Sequence, residues 1–222
     1  MTQLVCNLAA TVHMERKLTQ GFTLIELLVA VAVAGVLLGI GVPSFSDAIK
    51  ESRISSQYNA LVGSLYLARS EAVKGSFEVT VCPRQTATAS QCGGKQDWDN
   101  GWLVFIDRTT VQGEATANVD AGDELIAIEP GPKGDNVIMA IGSPTNSAAN
   151  AEEVGFVRYT QNGGAQWSSG SVVVCDTHRG ADYSRAINIV LTGDIRRGQP
   201  QGDEMTPRDV FNQPISEYCS EP

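Results

Sequence analysis

From Phe22 to Val42 the chain runs through 21 residues with one charge among them, Glu26. As a helix rising about 1.5 Å per residue, this run is roughly 31 Å long, which matches the hydrocarbon thickness of a bilayer. Arg16 and Lys17 precede it, and no Lys or Arg follows until Lys50. That asymmetry puts the start of the chain in the cytoplasm and the part after Val42 outside it. A cleaved secretory signal would end in a small-residue cut site beyond the apolar run. Pro43-Ser44-Phe45 leads into further helical sequence instead, so the apolar segment is expected to stay. An acid within it costs about 3 kcal/mol in hydrocarbon, so Glu26 has to be paired, protonated or put to use.

Beyond Pro43 the pattern becomes amphipathic. Ile54, Tyr58, Leu61, Leu65, Ala68 and Ala72 recur at alternating steps of four and three residues, which places them on one helical stripe. Lys50, Glu51, Arg53, Arg69, Glu71 and Lys74 fall mostly off that stripe, and Gly75 gives a stop. The stripe predicts a helix over residues 43–75 that packs on a globular domain.

After Gly75 the period drops to two. Phe77, Val79 and Val81 alternate with Glu78, Thr80 and Cys82. Further strands are predicted at Trp102 to Ile106, Glu124 to Ile128, Val137 to Ile141, Val154 to Tyr159, Ser171 to Cys175 and Ala186 to Leu191, about seven in all. Asp99-Asn100-Gly101, Gly131 to Gly134, Asn162-Gly163-Gly164 and Thr192-Gly193-Asp194 read as turns between them, and Gly142 to Ala151 as a loop. The expectation is an α+β chain: a long amino-terminal helix on one small antiparallel sheet or two. Trp98 and Trp102, at a strand entrance, read as core and edge packing.

The residues around the start of the apolar run carry a family likeness. Gly21-Phe22-Thr23-Leu24-Ile25-Glu26-Leu27-Leu28 resembles the type IV prepilin signature. That resemblance implies cleavage after Gly21 by a prepilin peptidase, N-methylation of Phe22, a filament-assembly role for Phe22 and Glu26, and a bend or loosening at Pro43. It implies a leader over residues 1–21, with Met14 as the true start because Met14 to Gly21 alone makes a typical short basic leader. The run Asp97 to Asp107, with Asp176-Thr177-His178-Arg179-Gly180 and the turn Thr192 to Arg196, is similar to the GspH/FimT group of minor pilins and secretion pseudopilins. The implied partners are other pilins in a helical filament. The implied location is the inner membrane, with residues 76–222 as a β-rich periplasmic domain.

Of five cysteines, Cys6 lies in the leader, leaving Cys82, Cys92, Cys175 and Cys219. An even number outside the cytoplasm suggests disulfides. Three connectivities are possible, and the local one, Cys82 with Cys92 and Cys175 with Cys219, disturbs the strand pattern least. No CxxC pair exists and the only histidine after the leader is His178, so neither a zinc site nor a catalytic triad is expected, and no metal or cofactor. Asp97/Asp99 and Asp120/Asp123/Glu124 lack the spacing of a calcium loop and read as solvated turns.

Three functions fit this sequence: a minor pilin that builds a type IV pilus, a pseudopilin of type II secretion, and a DNA-binding minor pilin. The third follows from the resemblance, since some members bind DNA through a Gly-Arg-x-Arg motif. Here Gly193-Asp194-Ile195-Arg196 stands at that place, an acid replacing the first arginine. Arg196 and Arg197, with Arg179 and Arg185 nearby, would supply the remaining cations. Residues from Pro43 onward carry 14 Lys+Arg against 23 Asp+Glu, so any attraction for phosphate has to be local.

Overall fold

The computed structural model describes residues 21–108, 117–132, 134–142, 155–165 and 168–219, with backbone alone from 40 to 44. The leader up to Gln20, with Cys6 and Met14, most of the expected loop from Gly142 to Ala151, and the start of the strand expected from Val154 lie outside the described residues. The chain divides into two units, one ending at Phe45 and the other beginning at Ser46.

Helix α1 spans Leu24–Gly75. Its start has a reason in the sequence. The Thr23 hydroxyl accepts the Glu26 N–H at 3.3 Å and the Thr23 carbonyl accepts the Leu27 N–H at 3.2 Å, which makes Thr23 the cap. Glu26 then occupies the third helical position, where an acid favours the positive end of the helix dipole. In the first unit every described side chain from Gly21 to Gly39 is exposed. Among the described residues no helix is long and apolar enough to cross a membrane. The described side chains of this half end at Gly39, whereas the apolar run in the sequence continues to Val42.

In the second unit the amphipathic stripe is the core. Ile54, Leu61, Leu65, Ala68 and Ala72 are fully buried, and Tyr58 packs beside them, half-buried. Burying each of the three large aliphatic side chains stabilises by about 1.5–3 kcal/mol. The helix ends at Gly75, but the residue with positive φ that turns the chain is Ser76, at 54°.

Among the described residues eight strands follow: β1 (Glu78–Pro83), β2 (Trp102–Asp107), β3 (Glu124–Glu129), β4 (Val137–Gly142), β5 (Val157–Tyr159), β6 (Gly170–Cys175), β7 (Arg185–Ile189) and β8 (Ile195–Arg197). They form two antiparallel sheets, in the orders β3-β2-β1-β5 and β4-β6-β7-β8. Strand alternation sorts their side chains. Val79, Val81 and Val104 of the first sheet, with Val172, Val174, Ile187 and Ile189 of the second, join the helix stripe in one core. The opposite residues make two outer layers. Cys82, Leu103, Phe105 and Phe156 cluster on the first sheet, and Val173, Cys175 and Ala186 on the second.

The second outer layer is closed by the carboxyl-terminal tail, whose Ile215 and Cys219 pack onto it. Disulfides Cys82–Cys92 and Cys175–Cys219 hold both outer layers. The local connectivity is therefore the one present. In a loop-entropy account the two bridges contribute about 2.8 and about 4 kcal/mol at most.

Strand β8 is an addition to the expected set. The turn ahead of it, Val190 to Asp194, closes with the Gly193 N–H on the Val190 carbonyl at 2.7 Å. Gly193 has φ of 77°, and a Cβ there would stand 1.9 Å from the Gly163 oxygen, so only glycine fits. Trp98 and Trp102 are both buried, and the Trp102 indole N–H donates to Ser64 Oγ at 2.9 Å.

Candidate functional site

Two sets of residues are expected to carry function, and the structure treats them differently. At the amino-terminal end, Gly21 precedes the helix and Phe22 is 83% exposed. Glu26 sits one turn in, at the third helical position, its N–H capped by Thr23. Pro43 falls within the helical backbone, shortly before the divide between the two units.

The four arginines of the expected basic spot do not form one cluster. Arg179 lies in the turn after β6. Its Nε donates to Asp176 Oδ2 at 2.6 Å and its Nη2 to Glu51 Oε2 at 3.2 Å, with the guanidinium 4.5 Å over the Tyr183 ring. Arg185, at the start of β7, donates to the other oxygen of Glu51 and to the carbonyls of Tyr183 and Ser184. Glu51 thus takes both guanidinium groups and ties the helix to the second sheet. Burial pushes the Asp176 carboxyl upward, but the Arg179 guanidinium and the N–H groups of Arg179 and His178 outweigh it and hold the group below the usual carboxylate range.

Arg196 and Arg197, adjacent in the sequence, point to opposite faces of β8. Arg197 pairs in register with Ile187, whose side chain faces the helix core, while Arg196 pairs with Asn188 on the tail side. Arg196 stands 3.9 Å from Asp194. Asp194 is itself engaged: its Oδ1 accepts from Arg69 Nη1 at 3.1 Å. Arg69 also donates to the carbonyls of Gly163 at 3.0 Å and Thr192 at 3.1 Å. The hydrogen bonds from Arg69 and Thr192 hold the Asp194 carboxyl below its ordinary range. The acid that replaces the arginine of a Gly-Arg-x-Arg motif is here a helix anchor.

In the sequence Glu51 and Arg69 stand out only as residues off the stripe. Their separation is the available signal: 18 residues make five full turns, so both lie on one flank of the helix. His178 is exposed, with Nε2 3.0 Å from Asp135 Oδ2. Asp97 accepts the Gly94 N–H and Asp99 the Ile138 N–H. Asp123 accepts the N–H groups of Arg108 and Asp120. Among the described residues no group of three or more His, Cys, Asp or Glu is placed to hold a metal.

The family model of the type II transport protein GspH matches residues 57–193, and that of the prokaryotic N-terminal methylation motif matches residues 16–42. Fimbrial protein EcpC of Eikenella corrodens is 36% identical over 50 residues, which is 22% of this chain and 33% of that protein. The chain matches about a third of the length of that relative. Crystal structures of the type IV minor pilin FimU of Pseudomonas aeruginosa show 18% identity. In one crystal form the TM-score is 0.42, covering 66% of this chain and 88% of that one. In a second the TM-score is 0.39, covering 64% and 90%. The GspH match takes in the amphipathic helix from Gln57 onward and the seven strands ahead of the Gly193 turn, and the methylation motif covers the apolar run nearer the amino terminus, so the chain belongs to the GspH family of type IV pilin-like proteins.

Proposed function

We propose that the chain is a minor pilin of a type IV pilus. Prepilin peptidase cuts after Gly21 and Phe22 is N-methylated. The apolar half of α1 then holds the protein in the inner membrane by a single pass, with the β domain in the periplasm. The observation that carries this reading is the apolar start of α1: Leu24, Ile25, Leu27, Leu28, Val31, Val36, Leu37 and Leu38 are each more than half exposed on one helix, as is Phe22 just ahead of it. Water does not tolerate so long an apolar surface, and a bilayer or a filament interior does.

Glu26 follows from the same observation. Cleavage frees the Phe22 amine, and in a stack of such helices the carboxylate of one subunit can pair with the amine of the next, which sets subunit depth. Glu26→Leu is expected to insert normally, because it removes a charge that hydrocarbon disfavours, and to be absent from sheared filaments. Mass spectrometry of the membrane-bound protein should find a chain that begins at methylated Phe22. A mature chain beginning after Val42 would overturn the reading.

The description of the matching family, a type II transport protein, favours a second reading as a pseudopilin of a secretion system. The two differ in what a deletion removes. Loss of surface pili with normal protein secretion supports the pilus reading, and the reverse supports the secretion reading.

A further inference from the structure

The flank of α1 that Glu51 and Arg69 clamp to the second sheet also carries Tyr58 and Tyr66. They lie seven and three residues from those clamps, on the turns between them. Tyr58 is half-buried against the core and Tyr66 is 52% exposed. Opposite them, Arg197 of β8 is exposed on the helix-facing side of its sheet, one strand from Ile187. Burial raises the Tyr58 hydroxyl, while the charges of Arg197 and Arg185 act the other way, which places both guanidinium groups within electrostatic reach of that ring. Arg185 is committed to Glu51. Among the described residues Arg197 makes no hydrogen bond or ion pair. Val73 and Leu191, 53% and 50% exposed, lie at the far end of the flank, by the Gly163 and Thr192 turns.

We propose that this seam, with Tyr58, Tyr66 and Arg197 at its centre, docks an acidic segment of a neighbouring filament subunit, a carboxylate pairing with Arg197 between the two tyrosines. The partner's chemistry follows from charge. Tyrosine and arginine are the residue types that dominate binding at protein interfaces, and a guanidinium left without an internal partner takes a planar carboxylate in two parallel hydrogen bonds. A nucleic acid is a poorer fit. Among the described residues the seam offers one uncommitted cation, Glu51 and Asp194 flank it, and residues from Pro43 onward carry 23 Asp+Glu against 14 Lys+Arg. The anchor also leaves the cation in place, since Arg197 lies in a strand whose neighbouring turn is fixed by Arg69 and Gly193.

The inference rests on the filament reading, and the test separates the two. Full-length protein carrying a photo-crosslinking residue at Tyr66 is supplied as the only copy, and filaments are irradiated, sheared and mapped. The expected result is an adduct to another subunit in a peptide that contains Asp or Glu. Arg197→Glu should lower that adduct at least tenfold, and Arg197→Lys should retain most of it. A Tyr66 adduct unchanged by Arg197→Glu, or no adduct in filaments that contain the protein, would overturn the docking proposal while leaving the pilin reading intact. Arg197-dependent retention of DNA by the detergent-solubilised full chain would overturn it in favour of a nucleic-acid surface. Normal filaments and secretion in a strain lacking the chain would reject the filament reading itself. Melting of Arg197→Glu at the wild-type temperature is expected, because among the described residues the side chain makes no hydrogen bond or ion pair.

Discussion

Asp107→Ala tests whether a buried charge pair holds the shortest strand of the first sheet. On the outer face of that sheet, Arg158 of β5 lies opposite Thr80 of β1, and Asp107 closes the row from the end of β2. Arg158 Nη2 donates to Asp107 Oδ2 at 2.8 Å and Nε to Thr80 Oγ1 at 3.0 Å, while Thr80 donates to the same carboxylate at 3.3 Å. Both charged side chains are 3% exposed. Removing the acid leaves a guanidinium in low dielectric without its main counter-charge, which costs about 3–5 kcal/mol. Glu78, 3.9 Å away, supplies partial compensation and draws the expectation to the lower end. At about 2–4 °C per kcal/mol for a chain of this size, the melting temperature should fall by roughly 6–12 °C, read by circular dichroism of the full chain in detergent. The double variant Asp107→Leu/Arg158→Met should recover most of that loss, because both charges leave together. A single variant that melts within about 2 °C of wild type would refute the reasoning. A double variant as unstable as the single one would show that packing, not an unpaired charge, is what Asp107 supplies.

Asp176, held below the usual carboxylate range by Arg179, contributes stability that is complete above its unfolded value of about 3.9 and is lost as pH falls through its lower folded value. Asp176→Asn should therefore flatten the acid limb of stability against pH, measured by denaturant titration below about pH 5. Asp194→Arg restores a Gly-Arg-x-Arg sequence but sets a cation against Arg69. It should lower the melting temperature and give no DNA retention in a gel shift at moderate salt, and a clear gain of binding would put the anion site at that turn. Gly63 lies on the helix with nothing within 4 Å of where a Cβ would stand, so Gly63→Ala should stabilise the isolated protein by about 0.5–1 kcal/mol, seen as a higher melting temperature.

The helix stripe was legible because its signal is local and repeated: Ile54 through Ala72 fall on one line whatever the sheets do, and the sheets then fill that line. Strand β8 was not legible for the opposite reason. Three residues after a Thr-Gly-Asp turn carry too little period to mark a strand, and Ile195 to Arg197 pair because β7 presents an edge. The same short strand sets two of the expected cations apart. Adjacent positions in a sequence are neighbours in a turn, but in a strand they face opposite ways, so Arg196 and Arg197 part company as soon as β8 forms. The tail is a third case. Pro- and Gln-rich sequence from Gly198 onward reads as irregular, and up to Cys219 it adds no strand to either sheet, yet Ile215 is fully buried against Val173 and Ala186. Cys219 was its one visible tether.

The clamps explain why the helix needs more than its stripe. A stripe buried between two sheets fixes the distance of the helix from the core, but apolar contacts are non-directional and resist sliding along the axis weakly. Glu51 and Arg69, about 27 Å apart at 1.5 Å per residue, make directional bonds to separate parts of the domain. Glu51 meets Arg179 and Arg185, within and at the end of the β6 to β7 connection, and Arg69 meets Gly163, Thr192 and Asp194 around the β7 to β8 turn. A one-turn slip of the helix would bring Ser55 or Val73 to those places, residues that cannot make the same ion pairs. Axial register is thus specified by charge and depth by hydrophobic burial. An axial pull on α1 would be resisted by these ion pairs together with the hydrogen bonds that Trp102 and Asn136 donate to Ser64 and Gln57 of the helix.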